Sequence, residues 1–533
     1  MPDSCPDIVH DLLRREAYGL ASGTVTLRTT HASWVFLADR DVWKLKRPVD
    51  LGFLDFRDVE SRRRACEDEV RLNRRLAPDV YLGVEPVHRT GHGHMLIGDG
   101  PVVDWVVHMR RLPDAASAAS FLEKGRLDAN LLGTVAERLA GFLLTSRPTP
   151  DFGARATLSR NLDENFAQVA PFVGDLLDQG TCDDVQAFQR GELARNAARF
   201  EERVAENRVR EGHGDLRLEH VYLLPGRDGP LQPVVIDCIE FSERFRCGDA
   251  AAELGFLAME LEAAGRPDLA AGLIARFAEA SDDFGLYGVL DFYLSYRAWV
   301  RGKVAAFVAA DPSTPSEMRA SKRDEARRFF GLARSFSGSP LDRPFLIAVG
   351  GLIGSGKSTL AAELGRELAV PVVSSDRTRK LSAGRSLTTR ADASLYGKAE
   401  REKTYGEVIH RASQVIQSGR GVVLDATFST RRWRQLAADA ARARQATFAF
   451  VETRCRSDLL HERLAERRAR PSVSDATEAL LESFLRDYEP ATSLDPQPRF
   501  VVETERSPVV ATRDALRQLA AVGIVAAVAR SAS

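Results

Sequence analysis

The 533-residue chain has almost no surplus of either charge, with 74 Lys and Arg against 75 Asp and Glu. It therefore lacks the basic footprint with which nucleic-acid binders meet phosphates, and a constitutive DNA or RNA partner is not expected. Cysteine is scarce. Cys5, Cys66, Cys182, Cys238, Cys247 and Cys455 are scattered, form no CxxC pair and accompany no His cluster at zinc-ligand spacing, so all six are expected as reduced thiols. The N-terminal MPDSCPDIVHDLL carries acids and lacks a basic n-region followed by an apolar stretch, so a secretory signal is not expected. The apolar run from Leu516 to Val528 is too short to cross a bilayer and carries Arg517 near its start. A cytoplasmic location without membrane partners is expected. Internal repeats and low-complexity tracts are missing too, and 44% hydrophobic with 28% charged residues is the composition of an ordinary folded protein.

What the chain does have is length, more than one hydrophobic core supports. Ser, Gly and Pro cluster between two periodic regions, which places a linker at residues 336–343 between domains at 1–335 and 344–533. After the linker, short apolar runs alternate with helical patterns: FLIAV at 345–349, PVVSS at 371–375, GVVLDA at 421–426, TFAFVE at 447–452 and RFVVE at 499–503. That alternation predicts an α/β domain with a buried parallel sheet. Before the linker, strand-like segments come first (VTLRT, SWVFLAD, DVWKLK, MLIGD and VVDWVVHMR) and long helical stretches follow, which predicts an α+β domain.

In the second domain, GLIGSGKS from Gly351 to Ser358 fits G-x-x-x-x-G-K-[ST], with a strand feeding it and the helix-like STLAAELGREL leaving it. Gly351, Gly354, Ser355 and Gly356 let backbone N–H groups turn onto phosphate oxygens. The helix N-terminus at Lys357, Ser358 and Thr359 adds its dipole, Lys357 reaches the transferring phosphate, and Ser358 can ligate magnesium. ATP and magnesium are the expected cofactors. Asp425 ends GVVLD at a strand's C-terminal edge, where a carboxylate can hold magnesium through water. Asp376, followed by Arg377 and Arg379, reads either as an acid that orients a hydroxyl substrate or as a helix N-cap. In ERLAERRAR, Arg463 and Arg467 share a helical face; they are either a solvated helix or the cations of a lid, with Arg468 and Arg470 following.

These segments, GGLIGSGKSTLA, SSDRTRK, VVLDATF and RLAERRARPSVSDA, resemble the P-loop small-molecule kinases grouped with gluconate kinase and polynucleotide 5′-kinases. The resemblance spans about residues 344–530. It implies phosphorylation of a hydroxyl by ATP, with Asp376 near the acceptor, Asp425 at the metal and the lid arginines Arg463 and Arg467 closing over the reaction.

In the first domain, HGDLRLEH from His213 to His220 precedes a short apolar run, and Asp237 follows in PVVIDCIEF. Such a pair gives a kinase-like lobe its general base, Asp215, and a metal-holding acid, Asp237, with His220 a further metal candidate. Upstream, Lys44 and Lys46 share one face of DVWKLK; Lys44 is the first choice for a nucleotide lysine, with Glu69 as its partner acid and Glu67 second. Arg297 and Arg301 stand at i, i+4 on an apolar helix, as substrate-recognising or merely solvated cations.

Together these residues look like the aminoglycoside phosphotransferase family over roughly residues 25–310, with its HGDLHxxN loop at His213, Gly214, Asp215 and Leu216. Arg217 replaces that family's His, His220 replaces its metal-binding Asn, and Thr30 to Trp34 stand where a glycine-rich loop covers phosphates. The whole chain resembles a family of bifunctional predicted kinases: a protein-kinase-like α+β domain fused to a P-loop domain. The reading is an ATP-dependent phosphotransferase acting on a small hydroxylated metabolite. A nucleotide-sensing regulator and a polynucleotide 5′-kinase are the alternatives.

Overall fold

The computed structural model describes residues 6–524 apart from 51, 53, 227–228, 338–343, 388–394, 396 and 469–477, and leaves out the side chains of 467, 468, 478–480, 483 and 484. The linker expected at 336–343 thus lies, save for its first two residues, outside the described residues. The chain divides into two compact units, one of Met1–Thr157 with Arg203–Leu257, the other of Leu158–Glu202 with Ala258–Ser533.

The first unit is built on a six-stranded antiparallel sheet. Its strands are β1 (Thr26–Thr29), β2 (Ser33–Leu37), β3 (Asp41–Lys46), β4 (Tyr81–Thr90), β5 (Gly93–Met95) and β6 (Val102–Arg110), in the order β1-β2-β3-β6-β4-β5. Alternation along β3 sorts its residues. Trp43 and Leu45 join Phe36, Val87 and Val106 on one face, while Val42 packs with Cys66, Val70 and Val107 on the other, so Lys44 and Lys46 face the helix Val59–Asn73. Asp58 caps that helix, accepting from Ser61 N at 2.8 Å. Two expectations differ from what is found. MLIGD stops being strand at Met95, and the ten-residue β4 is not among the expected strands because Gly83 and Pro86 interrupt its pattern; register shifts at Tyr81/Gly83 and Val87/His88 absorb the irregularity. The strands β7 (Val209–Glu211), β8 (Val221–Pro225), β9 (Leu231–Val235) and β10 (Cys247–Asp249) form two short ribbons, β10 with β7 and β8 with β9.

The second unit contains helices and a five-stranded, wholly parallel sheet. Its strands are β11 (Phe345–Gly350), β12 (Val372–Ser374), β13 (Val422–Asp425), β14 (Thr447–Arg454) and β15 (Arg499–Glu503), in the order β12-β13-β11-β14-β15. Each lies on one of the five apolar runs, and all six residues of β11 are buried. Phe345, Ile347 and Val349 pack with Leu360 and Leu364 of the helix Lys357–Leu368 and with Ala515 and Leu519 of the helix Pro508–Ala520. The protein is therefore an α+β kinase-like lobe and an α/β P-loop domain in one chain. No described helix is long and apolar enough to cross a membrane.

Candidate functional site

The loop after β11 turns on three glycines of positive φ, Gly351 (+145°), Gly354 (+84°) and Gly356 (+82°). Three side chains brace it from elements far away in sequence: Thr453 in β14, Thr504 just past β15, and Arg463 on the helix Ser457–Arg468. Thr453 Oγ1 donates to Gly350 O at 3.0 Å and lies 2.7 Å from Ser355 Oγ; Thr504 Oγ1 donates to Ser355 O at 2.6 Å; and Arg463 reaches Gly354 O at 3.3 Å and Thr504 O at 2.6 Å. Arg463, expected as a lid cation, thus holds backbone carbonyls of the loop and of Thr504. The side chain of Arg467 lies outside the described residues. Thr453 and Thr504 carry no local sequence signal, since only the packing of β14 and the end of β15 brings them to the loop.

Below the cradle, Asp425 at the end of β13 is 6% exposed. Ser358 Oγ donates to one of its oxygens at 3.1 Å and Ser374 Oγ to the other at 3.2 Å. Burial pushes its carboxyl above the usual range, the neighbouring Asp376 adds to this, and Lys357 opposes it. A carboxylate and a serine hydroxyl are the hard oxygen donors magnesium prefers. Asp376 sits in the first turn of the helix Ser375–Ser382, whose N-cap residue is Ser374, and accepts from Arg379 at 2.7 Å. Thr359 follows on the helix that leaves the loop.

The upstream candidates also converge. Lys44 Nζ donates to Glu69 at 2.9 Å and to Asp237 at 2.7 Å. Lys46, 1% exposed, pairs with Glu69 and with Glu240. Burial alone would lower the Lys44 ammonium, but the Asp237, Glu69 and Glu240 carboxylates hold it well above its ordinary value. Asp237 is penalised by burial too, yet Lys44 and His220 keep it far below the carboxylate range. Glu67, the second-choice acid, pairs instead with Arg63 at 2.6 Å.

The loop carrying Asp215 is fixed by residues that spacing does not reveal. Glu253 accepts from His213 N at 2.5 Å and from Gly214 N. His213 is pushed down to about 4 by burial and is neutral. Its Nε2 donates to Ile236 O at 2.8 Å, which leaves Nδ1 to accept from Asp215 N at 3.3 Å. His220 Nδ1 donates to Asp215 O at 2.8 Å, and its Nε2 lies 3.6 Å from Asp237. An imidazole nitrogen suits hard magnesium poorly, so the Asp237 and His220 pair fits that ion less well than Ser358 and Asp425 do. Of Thr30 to Trp34, Thr30, His31 and Ala32 form the turn between β1 and β2, closed by Thr30 N to Ser33 O at 2.9 Å, while Ser33 and Trp34 open β2. Arg301 is buried and donates to Glu325 at 2.8 Å, and Arg297 lies over the Tyr296 ring.

A phosphate cradle with its acid on a parallel sheet, joined to a lobe with a lysine–glutamate pair and two aspartates, defines a protein of two kinase-like modules. Residues 346–491 match the family model described as AAA domain. Over 468 residues the chain is 31% identical to "Uncharacterized protein Rv2004c" of Mycobacterium tuberculosis (strain ATCC 25618 / H37Rv), covering 85% of this chain and 88% of that one. "Uncharacterized protein Mb2027c" of Mycobacterium bovis matches to the same extent, and the chain belongs to the family of these mycobacterial proteins. Among solved structures, a gluconokinase from Sinorhizobium meliloti 1021 is similar at 22% identity, over 34% of this chain and 93% of that chain, with a TM-score of 0.26. A putative aminoglycoside phosphotransferase from Ralstonia eutropha jmp134 is similar at 12% identity, over 62% of this chain and 97% of that chain, with a TM-score of 0.36.

Proposed function

We propose that the protein is an ATP-dependent phosphotransferase whose P-loop unit transfers the γ-phosphoryl group of ATP to a hydroxyl of a small metabolite in the cytoplasm. The observation that carries this reading is the double serine contact on buried Asp425, from Ser358 at 3.1 Å and Ser374 at 3.2 Å, beside Lys357 and Asp376. Magnesium, held by Ser358 and Asp425, would neutralise charge developing on the phosphates. Lys357 binds the transferring group, the glycine loop supplies N–H donors, and Asp376, oriented by Arg379, accepts the proton of the acceptor hydroxyl. Arg463 holds the loop at the Gly354 carbonyl.

In the other unit, Asp215 is the candidate general base, Asp237 and His220 the candidate metal holders, and Lys44 with Glu69 the nucleotide pair. A second reading, a nucleotide-sensing lobe that does not turn over, is favoured by one observation: His220 is tied to the Asp215 carbonyl and faces Asp237, where kinase-like lobes use an amide.

Lys357→Ala and Asp215→Asn, made separately in the full chain, test both readings. ATP turnover is measured over sugars, nucleosides, aminoglycosides and a labelled oligonucleotide. Loss in Lys357→Ala is expected, and transfer that neither variant lowers refutes the enzyme reading. Loss in Lys357→Ala alone favours a sensing first unit, and transfer only to the oligonucleotide makes the protein an end kinase.

A further inference from the structure

The acceptor side of the P-loop site is fastened by a carboxylate that lies far upstream in sequence. Strand β12 has three residues, occupies the edge of the sheet and is bonded there to β13. Its first N–H, that of Val372, donates to Glu279 Oε1 at 2.8 Å. Glu279 stands in the last turn of the helix Pro267–Ser281, and Arg276 donates to its other oxygen at 3.0 Å. Arg377, one residue past Asp376, donates to the Glu279 carbonyl at 2.6 Å, where the helix C-terminus concentrates partial negative charge. Asp282, which ends the same helix in the left-handed conformation, takes both arms of Arg411 at 2.8 and 3.1 Å. One helix end thus holds the first residue of β12 and the residue after Asp376. Between them lie Ser374, which donates to Asp425, and Asp376 itself.

We propose that Glu279 is a positioning residue for the P-loop site, setting β12 and the following helical turn so that Ser374 and Asp376 meet Asp425 and the acceptor. This rests on the reading of that site as a phosphoryl-transfer centre. A three-residue edge strand is held by few ladder bonds, and the part-buried Val372 N–H gains an acceptor in Glu279. Burial pushes the Glu279 carboxyl up, opposed by the Val372 N–H and Arg276, so the group is tolerated there because donors converge on it. A glutamine keeps the accepting oxygen and an alanine does not, so the two substitutions separate hydrogen bonding from bulk.

The test uses the full chain with Glu279→Ala and Glu279→Gln, reading kcat, the KM for ATP, and amide exchange over residues 372–378. Glu279→Ala is expected to lower kcat by about tenfold or more, since small displacements of reacting groups are costly in rate, while the KM for ATP stays within about twofold. Exchange at 372–378 should quicken, and Glu279→Gln should restore most of both. Unchanged kcat and exchange in Glu279→Ala overturn the proposal, as does a KM effect that Gln does not rescue. A wild-type protein without turnover refutes the phosphotransferase reading alone, because exchange still reports whether Glu279 fixes the strand. Should Glu279→Ala not fold, Arg377→Ala is expected to quicken the same exchange, and no change there overturns the proposal.

Discussion

Gly351→Ala is the sharpest test of the phosphate cradle. At φ +145° the residue occupies backbone space that glycine alone visits readily, and forcing an L side chain there costs about 1–3 kcal/mol. A Cβ at this position would lie 2.3 Å from Thr453 Oγ1, 2.7 Å from the Thr453 carbonyl oxygen and 2.8 Å from Ser355 Oγ. Ordinary contact begins at 3.4 Å, so relieving the closest approach takes 3.4 − 2.3 = 1.1 Å of movement. The hydroxyl cannot simply turn aside, because it already bonds Gly350 O and Ser355, and the carbonyl belongs to a central strand of the sheet. The loop itself must move. A shift of that size at a preorganised site lowers rate or affinity by about 10²-fold, or about 2.7 kcal/mol at 1.36 per decade. Calorimetric titration of the full chain with a non-hydrolysable ATP analogue and magnesium measures it. Gly125→Ala is the control, since Gly125 has φ +64° and nothing within 4 Å of the added carbon, and should leave binding unchanged. A Gly351→Ala protein that binds the analogue within about threefold of wild type refutes the argument from the close approach.

Three further outcomes are expected. Lys46→Met leaves Glu69 and Glu240 buried without their shared cation, so denaturant unfolding should show a loss of about 3–5 kcal/mol; Lys44→Met, which sits nearer solvent, should lose less, and the reverse order refutes the argument from burial. Asp425→Asn should lower ATP turnover about 10²-fold and flatten its dependence on magnesium concentration, and a variant that keeps the wild-type magnesium curve counts against Asp425 as metal holder. His108 lies between Asp41 at 2.9 Å and Glu85 at 2.7 Å, stacked on Trp43; burial lowers its pKa, but the two carboxylates outweigh this and raise it. A raised folded pKa means stability that is complete below the unfolded value of about 6.5 and is lost as pH climbs through the folded one. The melting difference between wild type and His108→Gln should therefore shrink from pH 6 to pH 9, and a difference that widens refutes it.

How much of the site was legible depended on how local its signal is. The cradle is eight consecutive residues whose spacing is itself the chemistry, and Asp425 closes an apolar run, so both could be read directly. The two lysines of β3 could be placed on one face by alternation alone, but their sharing of Glu69 and the entry of Glu240 required the helix and the Asp237 loop to be set in space. Thr453, Thr504, Glu253 and Glu279 left no trace in spacing, because each acts on a backbone group at least 39 residues away. Strand β4 was hidden for a different reason: Gly83 and Pro86 break its alternation, and the sheet tolerates them through register shifts that only pairing with β6 shows.

The two candidate sites differ in how their charges stand before any nucleotide arrives. Upstream, burial opposes the ionised form of Glu69, yet Lys44 and Lys46 still hold it below the carboxylate range; Asp237 is ionised in the same way, while burial pushes Glu240 up toward its protonated form. Each ammonium is therefore already paired with carboxylates inside the cluster, Lys44 with Glu69 and Asp237, Lys46 with Glu69 and Glu240. A polyphosphate approaching Lys44 must draw it from Asp237 at 2.7 Å, and the Asp237 freed by that exchange then needs another cation. Downstream, the acid below the cradle is held by two neutral hydroxyls, and its carboxyl is raised rather than lowered. A cation entering there meets a carboxylate that burial has made costly to leave charged, so its arrival relieves the site. On the proposed reading, magnesium and phosphate would therefore enter the P-loop unit more readily, and exchange of partners at Lys44 is the step that upstream nucleotide binding would have to overcome.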